Sequence, residues 1–259
     1  MFARGLLLSS QGFLFILLPG YVMFLILRRS PATDRTLVWW GTGGLLVALL
    51  PMNFVSSLAR QILASSPGAY SRALQFVIPA LWAGIFVEGM KYLVLRYKRL
   101  EGAALVPSGI AVGLGVGLIT KIFLGFAMIG AGMRLILGDI STPLLAQMAA
   151  TPLAELSLAA VASLVDRLAL LLFNAGLGAL VGLSLQRRKW IFLGYAMLIH
   201  AGIELTYNLI MVGLDGQGLL PTILALIFEG ALILIVWQYL NKQLSSASVQ
   251  TKRKRMTSR

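Results

Sequence analysis

The chain contains no cysteine in 259 residues, a single histidine, and only nine acidic side chains. Without cysteine there is no disulfide framework, no thiolate nucleophile and no thiolate metal site. One imidazole is fewer than zinc sites usually offer. Charged residues make up 12% of the sequence, far too few to coat a soluble domain of this size. No polar segment is long enough to hold a soluble catalytic domain. The first 30 residues lack both a basic start and a small-residue cleavage site, so they read as a retained first span and not a removed signal.

What the chain has in abundance is apolar sequence, 58% hydrophobic with a mean hydropathy of +0.87. Seven runs approach the ~20 residues needed to cross hydrocarbon as helix: 5–27, 37–58, 73–95, 108–130, 156–185, 190–212 and 219–240. The expected fold class is an all-α polytopic membrane protein of about seven transmembrane helices. Residues 1–242 form one transmembrane domain in this reading, and 243–259 a basic, disordered cytoplasmic tail. The segment 131–155, broken by Pro143 and Pro152, is expected to lie in the interface or dip back into the membrane. A turn is expected at Ser65-Ser66-Pro67-Gly68.

The net charge of +13 suggests nucleic acid at first sight, but its distribution argues against that partner. Fifteen of the 22 Lys and Arg residues fall in the loops after the first, third and fifth spans and in the tail. Four (Arg4, Arg60, Arg72 and Arg134) fall on the opposite side. The positive-inside rule then places the N-terminus outside and the C-terminus in the cytoplasm. Anionic lipid headgroups are the expected partners of the basic loops. A multi-pass protein of a bacterial or archaeal inner membrane follows.

Gly109, Gly113 and Gly117 recur every four residues in the fourth run, and Gly178 and Gly182 in the fifth. Small residues at this spacing let helix backbones approach closely. The Gly-Leu-Gly-Val-Gly string lacks the strand-turn-helix context of a nucleotide loop.

Against this apolar background the polar residues within the runs stand out. Glu88, Lys91, Lys121, Asp166, Arg167, Asn174, His200, Glu204, Asn208 and Glu229 all fall inside them. Charge at bilayer depth is costly and normally faces the protein interior. Glu88 and Lys91, three apart, share a helical face, and His200, Glu204 and Asn208 form one stripe at steps of four. At about 1.5 Å per residue from the basic edge, Glu88 lies roughly 10 Å deep, His200 and Asn174 roughly 15 Å, and Lys121 and Glu204 roughly 20 Å. The polar residues of the third to sixth runs are therefore expected to converge into one column. Asp166 and Arg167 point about 100° apart on a helix, so Arg167 is expected to pair with Glu204 or Glu88, and Lys121 with Glu204 or Asp166. Glu229 stands alone on its helix. The column serves either as structural ion pairs or as a site in which Glu88 activates water and His200 with Glu204 holds a metal.

Four segments carry a family likeness: Phe86-Val87-Glu88-Gly89-Met90-Lys91, Gly113-Leu114-Gly115-Val116-Gly117-Leu118-Ile119-Thr120, Asp166-Arg167 followed by Asn174, and His200 with Glu204. On these the chain resembles the YhfC-type intramembrane metalloproteases, which stand near the CAAX-prenyl protease, PrsW and gamma-secretase APH-subunit group. The resemblance spans about residues 73–208. It implies a Glu-Glu-x-x-Arg-like motif in which Val87 replaces the first Glu and Lys91 the Arg. It also implies a histidine where Val116 stands, a Glu at Thr120 and a histidine at Asn174. The implied fold is peptidase-like, with catalytic ligands lost.

Three functions follow as expectations. The first is a non-catalytic scaffold or subunit beside another membrane protein, with no cofactor. The second is an active zinc peptidase using catalytic Glu88 with His200 and Glu204 as metal ligands. The third is a transporter, or a transporter subunit, with an intramembrane charged pathway.

Overall fold

A computed structural model describes residues 1–29, 34–64, 69–213 and 219–257. Within them the backbone forms eight α-helices and one short 3-10 turn, with no strand. The helices are α1 (Phe2–Arg28), α2 (Thr36–Ala64), α3 (Ala69–Tyr97), α4 (Leu105–Ile136), α5 (Pro143–Ala150), α6 (Leu153–Arg187), α7 (Ile191–Gly213) and α8 (Leu219–Thr257). In hydrocarbon no water satisfies backbone N–H and C=O groups, so each apolar run closes its own bonds as helix. The outward faces carry large apolar side chains such as Phe13, Leu17, Trp39, Leu50, Phe54 and Phe126. A lipid-facing surface is expected to look like this.

Among the described residues, α1 to α4, α6 and α8 are long and apolar enough to cross a membrane. The seventh expected span, α7, is helical over 23 residues. It packs against α3 and α6 and carries the stripe of His200, Glu204 and Asn208. The segment 131–155 resolves into the end of α4, a turn, and α5. Thr142 caps α5, accepting a hydrogen bond from the Leu145 amide at 3.3 Å, with Pro143 in the first turn. Leu145 packs with Leu8, Leu135 and Leu156, so α5 closes one end of α1, α4 and α6. Beside it, Asp139 accepts from Arg134 at 2.6 Å and from the Ser141 amide at 2.9 Å. These bonds hold its carboxyl well below the usual carboxylate range.

The helical backbone of α8 continues to Thr257, through most of the segment expected to be a disordered tail. Residues 243–257 contain no glycine or proline to stop it. The expected turn at 65–68 lies outside the described residues.

At the centre of the bundle stands α4, packed against α1, α2 and α6. Glycine makes each approach possible. A Cβ at Gly109 would strike the Gly178 carbonyl of α6, and one at Gly113 the Asn174 carbonyl. On a second face, Gly115 lies against the Val38 carbonyl of α2. On a third, Gly125 and Gly132 lie against Gly12 and Gly5 of α1. The glycine stripes therefore act as helix-packing surfaces, as their spacing predicts.

Candidate functional site

Two close helix approaches set the height of a buried polar cluster. A Cβ at Gly84 of α3 would strike the Met197 carbonyl of α7. One turn further along each helix, Glu88 and His200 meet, with His200 Nδ1 at 2.7 Å from Glu88 Oε1. The Gly113 contact likewise brings α6 close at Asn174. Lys91 Nζ then donates to Glu88 Oε1 at 2.7 Å and to Asn174 Oδ1 at 3.1 Å. Asn174 Nδ2 donates to the Leu170 carbonyl at 3.0 Å, which turns its amide oxygen toward the ammonium. Phe173 meets the imidazole edge-on.

Glu88 is fully buried and Lys91 is 1% exposed. Desolvating both charges is expensive, and only close pairing with further hydrogen bonds offsets it. One carboxylate oxygen here carries both the ammonium and the imidazole. The other, Glu88 Oε2, is buried without a hydrogen-bond partner.

From His200 the polar chain continues. Its Nε2 lies 4.0 Å from Glu204 Oε1, and the Glu204 side chain is 46% exposed. Asn208 follows one turn on, half-buried. Lys121 of α4, 3% exposed, lies in electrostatic range of Glu204, Asp166, Glu229 and Arg167. Its ammonium donates to the Thr120 hydroxyl at 3.2 Å, and that hydroxyl donates to the Gly117 carbonyl at 2.9 Å. The Tyr207 hydroxyl adds a contact to Arg167. Side chains of α3, α6 and α7 therefore meet at Glu88, and Lys121 of α4 lies among the charges beyond Glu204.

The pairings differ from expectation. Arg167 Nε approaches Asp166 Oδ2 at 3.2 Å, but without hydrogen-bond alignment. The long guanidinium stem spans the angular offset that separates the two Cβ atoms, and the bond direction suffers. Lys121 makes no ion pair within 4.0 Å among the described residues. The sequence reading also missed that Glu229 of α8 belongs to this group. Glu229 is 2% exposed, and both its carboxylate oxygens lack a hydrogen-bond partner. A solitary carboxylate in an apolar run was the available signal, and it gave no direction toward α6.

The family-like positions divide by chemistry. Val87 and Val116, where the resemblance implies a Glu and a His, are both buried in one apolar cluster with Leu45. Lys91 and Asn174, at the implied Arg and His positions, are hydrogen-bonded to each other. Four of the five departures thus fall in two spatial pairs, one apolar and one polar, while Thr120 bonds to Gly117 and Lys121.

The family model for YhfC intramembrane metalloprotease matches residues 14–225. The chain belongs to this family. No curated protein and no solved structure matches it.

The family name implies a metal, and the residues present in this YhfC-family chain do not fit one. The chain offers a single imidazole, and an ammonium sits 2.7 Å from the Glu88 carboxylate beside it. A cation entering beside Glu88 would meet that positive charge at contact distance. Valines fill two of the implied polar positions. Among the described residues, no three His, Asp or Glu side chains gather in a ligating group.

Proposed function

We propose that this YhfC-family protein is a membrane-embedded scaffold or complex subunit that keeps the family fold without its hydrolytic chemistry. The observation carrying this reading is the Lys91 ammonium bound to both Glu88 and Asn174. A general base must be free to take a proton from water. Glu88 is instead ion-paired through Oε1 to Lys91 and in contact with His200, and its unpartnered oxygen, Oε2, is buried. Anionic lipids and a membrane-protein partner are the proposed contacts, in a bacterial or archaeal inner membrane.

Metal analysis of the purified chain tests the reading, alongside a cleavage assay on host membranes with Glu88→Gln. The expected result is no bound zinc and unchanged processing, with a stoichiometric partner recovered from native membranes. About one zinc per chain, lost in Glu88→Gln together with cleavage, would establish the peptidase instead.

A second reading has its own support in the polar chain from Glu88 to Glu229, which touches five helices. Intramembrane carboxylates in such a series mark proton or ion routes. In that case Glu229→Gln would abolish a proton flux into liposomes that the unmodified protein supports. Equal, background-level flux in both sinks the transport reading.

A further inference from the structure

At the end of the bundle where α3 finishes and α6 turns into α7 there is a cavity of about 350 Å³. Arg96, Arg188 and Lys189 line it, with Tyr92, Trp190 and Ser184, and no carboxylate does. Three cations converge on one hollow without an acid to neutralise them. Among the described residues neither Arg188 nor Lys189 makes an ion pair. Arg96 gives one long hydrogen bond, to the Tyr92 hydroxyl at 3.5 Å, and keeps its other donors.

Arg188 ends α6 in the left-handed conformation, φ 53 and ψ 38. Its amide bonds to the Leu185 carbonyl, and that of Lys189 to the Ser184 carbonyl. This is the helix-ending motif that favours glycine at the left-handed position. A helix stop alone would be better served by glycine, and the positive-inside rule is satisfied by a basic residue anywhere in the loop. Arg99 closes α3 in the same conformation, φ 49, without lining the cavity, so it is the lining and not the backbone that marks Arg188. Tyr92 and Trp190 pair with ring centroids 5.0 Å apart. Aromatic pairs of this kind mark the headgroup level of a bilayer.

We propose that this cavity binds an anionic phosphate group, with Arg96, Arg188 and Lys189 as its charged contacts. Its source is a lipid headgroup or free phosphate. Basic pockets between membrane helices are suited to such headgroups.

Arg188→Gly provides a discriminating test, because glycine relaxes the left-handed backbone and the cap survives the change. The full chain and this variant are purified in detergent and incubated with mixed phosphatidylglycerol and phosphatidylcholine. Retained lipid is then counted by native mass spectrometry. The unmodified chain should keep phosphatidylglycerol in preference, and Arg188→Gly should lower its retention about tenfold with an unchanged or higher melting temperature. Arg28→Gln, which removes equal charge outside the cavity, should lower retention far less than Arg188→Gly. Equal losses in Arg188→Gly and Arg28→Gln would overturn the site in favour of diffuse surface charge. Inorganic phosphate forms the other arm. If it binds the unmodified chain but not Arg188→Gly, while no lipid is retained, the site stands with a free anion as its source. Binding of neither probe overturns it.

Discussion

Lys91 is the side chain on which the reading of this protein turns. A buried ammonium beside a buried carboxylate is tolerable only while both remain, so truncating one strands the other. Lys91→Met should destabilise the protein by about 3–5 kcal/mol, the range for breaking a buried pair. Glu88→Gln combined with Lys91→Met should recover a large part of that loss, because no bare charge is left behind. Thermal unfolding in detergent measures both, and a Lys91→Met variant as stable as the parent would show that the pair holds nothing. At this scale the sequence was partly legible. The three-residue spacing of Glu88 and Lys91 put both on one helical face, which permits the pairing that the structure shows. The union of Glu88 with His200, 112 positions away, depended on how α3 and α7 pack, which no local pattern encodes. Asp166 and Arg167 show the reverse limit, in that rotamer reach overrode the angular rule.

Among the elements, α4 is the one whose sequence most directly dictates its surroundings. It meets three neighbours through glycine faces, and at each the partner's backbone occupies the space of a side chain. Gly113→Leu should therefore cost at least the ~1–3 kcal/mol typical of overpacking and push α6 away from Asn174. Gly43→Leu on α2 is the control, since nothing lies within 4 Å of the Cβ it would add. Melting temperatures should fall sharply for the first and stay near the parent for the second. A similar fall in both would mean that close helix approach is not what these glycines provide. The period of four was readable in sequence, whereas the choice of partner helix for each stripe was not. Helix α7 shows that a helix can deliver polar groups to a buried site and still read as an apolar run.

For the whole molecule, the apolar runs made the fold class and the element order plain before any coordinates. Orientation in the bilayer is expected from the basic loops, and the absence of cysteine makes it simple to check. Leu137→Cys, after α4, should react with an impermeant maleimide applied to intact cells, and Gln186→Cys, near the end of α6, should not. The opposite pattern would invert the topology. The contact between Val87 and Val116 bears on the history open to this chain. They sit with Leu45 where α2, α3 and α4 meet. Val87→Glu alone would bury a carboxyl among hydrocarbon, and Val116→His alone would bury an imidazole there, each without a partner and each at a few kcal/mol. A metal site of the kind the family likeness implies would require both changes, with Asn174 and Thr120 also replaced and the Lys91 ammonium relocated. For selection acting on single substitutions, the first step back runs uphill.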